Sequence, residues 1–228
     1  MNIQPSQKAA GPSGGIMGDK LSINPWLAIW TRPRDTIRAI VQFNPGYLFP
    51  LLCLIYGFPL LLQMAQNFSL GDRFPMGGII IGALIGGIFA GMIGISIASG
   101  LFYWTGKWIG GIATYQNVRA AVAWSNAPNL VNILIWIVNI ASFGIRLFKR
   151  GFVETPFVGG ELTLIYFASL VQVVVAAWGF IIFLKALGEV QGFSAWKALL
   201  NVLIPFFVLL IGFTVLFWLI SMVAGGVH

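Results

Sequence analysis

Five long apolar stretches, at 47–67, 77–103, 129–148, 161–184 and 201–223, carry no acidic residue in their interiors. A helix of roughly 20 predominantly apolar residues crosses a bilayer core, and each stretch reaches that length. Lipid offers the backbone no hydrogen-bond partner, so such stretches must satisfy their own peptide groups as α-helices. The fold class that follows is an all-α polytopic membrane protein with five transmembrane helices. Only 8% of the residues are charged and 58% are hydrophobic. Water-soluble domains carry about 25% charged residues, so a soluble fold is excluded. Connections between the stretches are short, and the spans form one membrane domain, 47–224. It is preceded by an amphipathic segment, 21–46, and by a tail, 1–20, rich in Gly, Ser and Pro and expected to be disordered. A signal peptide would place its apolar core much nearer the start, so the first span is expected to remain as an anchor.

The net charge is +7. The 13 basic residues lie outside the spans or at their ends. They suit an anionic lipid surface, where each near-surface cation contributes about 1 kcal/mol. Nucleic acid is not an expected partner, because it would need a basic face on a soluble domain. With the N-terminus inside, Lys8, Lys20, Arg32, Arg34, Arg38, Lys107, Arg119, Lys185 and Lys197 face inward, against Arg73, Arg146, Lys149 and Arg150 outside. The positive-inside rule then favours a cytoplasmic N-terminus and an outer C-terminus. The opposing group Arg146, Lys149 and Arg150 is read as a cationic cap on the end of the third span.

The residues that carry most chemistry are scarce. Cys53 is the only cysteine and lies in the first span; His228 is the only histidine. No intrachain disulfide, metal site or cofactor is expected. The acids are Asp19, Asp35, Asp72, Glu154, Glu161 and Glu189, none deep in a span. Ion-coupled transporters commonly keep ionisable groups at mid-membrane despite a cost of ~2.5–3.5 kcal/mol each. No Walker glycine loop, GxSxG elbow or HExxH is present. The expectation is a protein that is not an enzyme.

Three local patterns stand out. In 24–47, Asn24 before Pro25 is a helix start, and Thr31, Pro33 and Asp35 suggest a second. Ile37, Ile40 and Val41 recur at helical spacing. These short helices are expected to lie in the membrane interface with Trp26 and Trp30 at headgroup depth, or else to pack on the inner end of the bundle. In the second span, Gly78, Gly82 and Gly86 recur every four residues, and Gly87 with Gly91 forms another pair. Small residues so spaced allow close helix packing, within the bundle, at a homodimer seam or along a pore. In the third span, Asn129, Asn132 and Asn139 fall within an arc of roughly 80°. They point to interhelical hydrogen bonds of about 0.6–2 kcal/mol each, with Gln172 as a candidate partner, or to a polar groove for a headgroup or solute.

Two inside loops match without a gap: Lys107, Gly110, Tyr115, Arg119 and Ala120 correspond to Lys185, Gly188, Phe193, Lys197 and Ala198. Pro128 and Pro205 follow. Each copy reads as a helix leaving the membrane at a snorkelling lysine, a glycine turn and a short amphipathic surface helix. Spans two–three and four–five would then be a duplicated hairpin.

The phrases "NPWLAIWTRPRDTIRAI", "GGIATYQNVRAAVAWSNAP" and "KALGEVQGFSAWKALL", together with the five-span layout, resemble the Yip family of Ypt/Rab-GTPase-interacting membrane proteins, in particular its prokaryotic members. The resemblance runs from about Asn24 to Ile220. It implies an integral membrane protein without a catalytic centre, related to proteins of vesicle traffic and membrane shape. The acidic Asp-Leu-Tyr-Gly-Pro phrase of eukaryotic members is replaced by Asn44-Pro45-Gly46-Tyr47, and a Gly-Tyr phrase by Trp124-Ser125-Asn126-Ala127-Pro128. GTPase binding is therefore not carried over, and a bacterial inner-membrane protein is expected. The expected working face is Trp26, Trp30, Arg32, Arg34, Arg38, Lys107, Arg119, Lys185 and Lys197, contacting anionic lipid or a protein partner. The alternative is a passive permease or lipid-handling protein using Asn129, Asn132, Asn139 and Gln172.

Overall fold

The computed structural model describes residues 21, 23–152, 154 and 156–225; the tail expected to be disordered, 1–20, lies outside them. The helices are α1 (Pro25–Thr31), α2 (Pro33–Phe43), α3 (Phe49–Asn67), α4 (Met76–Trp108), α5 (Tyr115–Trp124), α6 (Asn129–Phe143), α7 (Glu161–Gln191) and α8 (Ala195–Gly225), with 3-10 turns at Leu70–Asp72 and Gly144–Phe148. Five segments are long and apolar enough to cross a membrane: Phe49–Asn67, Met76–Trp108, Tyr115–Phe148, Glu161–Gln191 and Ala195–Met222. The chain is an all-α, multi-pass membrane protein.

The helix starts follow the local chemistry. The Asn24 side chain accepts from the Trp26 amide at 3.1 Å, with Pro25 opening α1. Pro33 opens α2, with Asp35 in its first turn, where an acid suits the helix dipole. Thr114 accepts from the Asn117 amide at 3.3 Å to start α5. Ser194 accepts from the Lys197 amide at 3.3 Å to start α8.

The third candidate span, Tyr115–Phe148, is not one helix. Pro128 cannot continue the α-helical ladder, since it lacks an N–H and its ring crowds the preceding turn. The chain therefore turns between α5 and α6. The carbonyl of Val122, which the broken ladder frees, accepts from Ser125 Oγ at 2.7 Å and Asn126 Nδ2 at 2.8 Å. The expected surface helix after Lys107 is also relocated. In α5, Val118 and 120–124 are buried against α4, α7, α2 and α3. It is part of the bundle.

The chain reverses after α4 into α5 and after α7 into α8, with α4 packed on α5 and α7 on α8, but the two turns differ in detail. Thr114 and Ser194 play the same capping role, whereas the gapless match pairs Thr114 with Gly192. Tyr115 begins a helix while Phe193 stays buried in the turn before one. Gly110 and Gly192 take the left-handed backbone each turn needs, at φ 84° and 71°.

The closest packing joins α3 to α4. A Cβ on Gly57 would run into the carbonyl of Gly87, and one on Gly91 into that of Cys53. Gly87 and Gly91 are thus the packing glycines. Gly82 has open space where its Cβ would be, and Gly78 meets only Pro75. Two apolar cores result. One lies at the α1–α2 end around Ile29, Ile37, Ile40, Leu52, Val118 and Trp124. The other lies at the far end around Leu62, Ile79, Trp136, Phe143 and Phe148.

Candidate functional site: a basic end and two polar cavities

The α1–α2 segment packs on the bundle. Ile29, Ile37 and Ile40 are fully buried. The Trp26 ring lies 4.9 Å from the Trp124 ring, and Tyr47 stacks on the same indole at 6.1 Å. Trp178 Nε1 donates to the Trp30 carbonyl at 3.2 Å. Of the two arrangements open to this segment, its apolar face has taken the protein one. The reason is geometric: Pro33 divides the segment into two short helices that fold over α5 and α7.

The two loops meet each other at this end. The Ile112 amide donates to the Gln191 carbonyl at 3.2 Å. Gln191 is buried, and its Nε2 donates to the Phe102 carbonyl at 3.1 Å. Asn201 Nδ2 donates to the same carbonyl at 3.1 Å, and Thr105 Oγ1 donates to Asn201 Oδ1 at 2.6 Å. These bonds tie α4, α7 and α8 together.

The expected basic residues therefore share one end, but they divide into three groups: two paired with an acid, three held over rings and two exposed. Arg38 Nε donates to Glu189 Oε1 at 2.8 Å, and Arg34 Nη1 lies 4.0 Å from Glu189 Oε2. Arg34 Nη2 also donates to the Phe193 carbonyl at 3.4 Å. The hydrogen bond and charge of Glu189 raise the Arg38 pKa further. These two arginines clamp α2 to α7. Three stand over rings: Lys107 Nζ is 5.5 Å from the Tyr103 ring, Lys197 Nζ 4.5 Å from Phe193, and Arg119 Cζ 4.5 Å from Phe49 and 5.9 Å from Tyr115. Arg32 and Lys185 are exposed.

Glu189 escaped the sequence reading. Its signal was present: an acid near a helix C-terminus opposes the dipole and so requires a cationic partner. Glu189→Gln is expected to release α2. Amide hydrogen exchange across 33–43 should quicken while exchange in α3 and α4 stays unchanged; equal protection of 33–43 in both proteins would mean that the clamp is idle.

At the far end, Arg146 Nη2 donates to Glu161 Oε1 at 2.6 Å, and the Val158 amide donates to Glu161 Oε2 at 3.0 Å. Arg146 thus closes the α6–α7 connection across the loop as well as standing at the end of the third span.

The asparagine stripe also divides. Asn129 Nδ2 donates to Asn126 Oδ1 at 3.1 Å and Asn132 Nδ2 to Asn129 Oδ1 at 2.8 Å. Asn126 and Asn129, with Ser125, line a cavity of about 330 Å³ against Phe102 and α7. Asn139 and Gln172 line a separate cavity of about 220 Å³ toward the far end. Asn132 lines neither of these two. The Oδ1 atoms of Asn132 and Asn139 are buried without a hydrogen-bond partner.

Neither a curated protein nor a solved structure matches the chain significantly. A family model, described as the Yip1 domain, matches residues 27–216, which covers α1–α2 from Leu27 onward, four candidate spans in full and the fifth as far as Leu216. The chain belongs to the Yip1 domain family.

Proposed function

We propose that this is a non-enzymatic protein of a bacterial inner membrane, with its N-terminus in the cytoplasm and its C-terminus outside. Its α1–α2 end organises membrane or recruits a partner by binding anionic headgroups. The family is not known for catalysis. The observation that carries the reading is the division of the basic residues. Arg34 and Arg38 are engaged by Glu189, whereas Lys107, Arg119 and Lys197 are held over aromatic rings at the same end. Cations poised on an aromatic belt suit the headgroup layer. The open edge of α4 at Gly78 and Gly82 is where a second copy would pack.

Arg34 and Arg38 are poor choices for testing this, because changing them also breaks the clamp. Converting Arg32, Lys107, Lys185 and Lys197 together to glutamine is the cleaner experiment. At about 1 kcal/mol per near-surface cation, retention of phosphatidylglycerol by protein in lipid discs should fall by at least tenfold, and the wild-type preference should weaken with salt. Unchanged retention in the quadruple variant would sink the proposal. The rival reading, a passive permease, draws support from the unpartnered Asn132 and Asn139 oxygens. Selective solute flux in liposomes, abolished by Asn132→Leu, is the result that would favour it.

A further inference from the structure

The cavity toward the far end plays no part in the proposed lipid-binding face. It lies between α3, α6 and α7. Five of its lining side chains are polar and uncharged: Gln63, Gln66, Asn139, Ser169 and Gln172. Its apolar wall includes three aromatic residues, Trp136, Phe143 and Phe152, and among the described residues no Asp, Glu, Lys or Arg lines it. Gln66 and Phe152 also line a neighbouring surface cavity of about 430 Å³, which bears Lys149 and Glu154. The inner cavity therefore adjoins this surface cavity across Gln66 and Phe152.

Asn139 is one of the lining residues, and its Oδ1, which has no hydrogen-bond partner, is itself covered. Gln63 already donates to Gln66 Oε1 at 3.2 Å and Asn67 Oδ1 at 3.1 Å, forming a polar rail along the end of α3.

We infer that this cavity binds an uncharged, hydroxyl-rich group: a sugar ring, either free or as the headgroup of a glycolipid. Amides offer donors and acceptors together, and so do hydroxyls. A phosphate or ammonium would meet no opposite charge on the inner lining, and burying a charge unpaired is costly. Aromatic walls cover the C–H faces that a sugar ring presents. The volume equals roughly seven waters at ~30 Å³ each, enough for one such ring.

The test uses full-length protein in phosphatidylcholine discs. In one arm the discs carry monoglucosyl diacylglycerol or plain diacylglycerol with the same tails, and retained lipid is read by native mass spectrometry. In the other, free glucose is titrated and the melting temperature followed. At least fivefold retention of the glucosyl lipid over diacylglycerol assigns a headgroup site; a glucose-dependent rise in melting temperature assigns a free-sugar site. Either effect must disappear in Asn139→Leu and in Gln172→Leu. Phosphatidylglycerol retention, which belongs to the opposite end, should stay unchanged in both variants and so reports that they are folded. It also separates failure here from failure of the basic-end proposal. The inference is overturned if neither arm responds, the cavity then holding water alone, or if the response survives both substitutions.

Discussion

Replacing Gly91 with leucine is expected to separate α3 from α4 and to leave little stably folded protein. A Cβ at this position points into the Cys53 carbonyl, and the reciprocal contact sets Gly57 against Gly87. Overpacking an ordinary core costs about 1–3 kcal/mol, because side chains can rotate away. Here the obstacle is backbone on both sides, so relief requires moving one helix off the other. The expected loss exceeds about 3 kcal/mol, toward the tail of single-substitution effects. Gly82→Leu on the same helix is the control. That position has nothing within 4 Å of an added Cβ, and its stability should match the wild type. Unfolding with sodium dodecyl sulfate in mixed micelles compares the three. Coincident transitions for wild type and Gly91→Leu would show that the helix contact is not the source of stability.

The second large effect is expected at Trp124. Its side chain is fully buried at the centre of the core under α1 and α2, with the rings of Trp26 and Tyr47 against it. Truncating a large buried aromatic residue typically costs about 3–5 kcal/mol. Most of that loss should appear locally. Without the indole, Trp26 has no wall to pack on, and α1 should detach before the spans are disturbed. Limited trypsin digestion should then cut at Arg34 and Arg38 in Trp124→Ala at least tenfold faster than in the wild type. Trp124→Phe should behave differently. The indole Nε1 is buried without a partner, so removing that donor while keeping an aromatic ring should cost far less. Equal cleavage rates in Trp124→Ala and wild type would show that α1 is held by something other than this cluster.

The stability of this protein rests on an unequal distribution of contacts. The α3–α4 pair is locked at backbone distance, and α1, α2 and α5 close one end around a single indole. α8 lies at the other extreme. It meets α7 and α4, and from Phe206 onward its described side chains are exposed, as befits a helix whose neighbour is lipid. Lipid tails are as apolar as leucine, so burial alone does not draw such a helix inward. Close approach and hydrogen bonding do that work, which explains why Thr105, Gln191 and Asn201 lie where α8 joins the bundle.

Particular residues mark where the sequence could be read and where it could not. The start of α1 at Asn24-Pro25 was legible because a cap and a first-turn proline act within a few bonds of each other. The break at Pro128 between a short helix and the third span was legible; the burial of that short helix was not. Burial of Val118 and 120–124 depends on where α2, α3, α4 and α7 lie, which no local signal within 115–124 states. The glycines of α4 give the same lesson. Spacing identified both sets, but only the position of α3 decides that Gly87 and Gly91 pack while Gly82 stays open. Hydropathy places the basic residues outside the apolar runs or at their ends. That Arg34 and Arg38 are occupied by Glu189, 151 positions beyond Arg38, is a long-range fact with no local trace.

What the sequence by itself determined is the solvent. Runs of about 20 apolar residues without acids can satisfy their backbone in lipid only as helices, and that fixes class, span number and the location of the charges. What the tertiary structure alone decided is which of several chemically equivalent residues meet: which glycines touch, which arginines are paired, and that one asparagine stripe serves two cavities rather than one groove. Hydropathy depends on each segment alone, whereas contact depends on how segments rotate and shift against one another, and in a uniformly apolar helix no local preference sets that rotation.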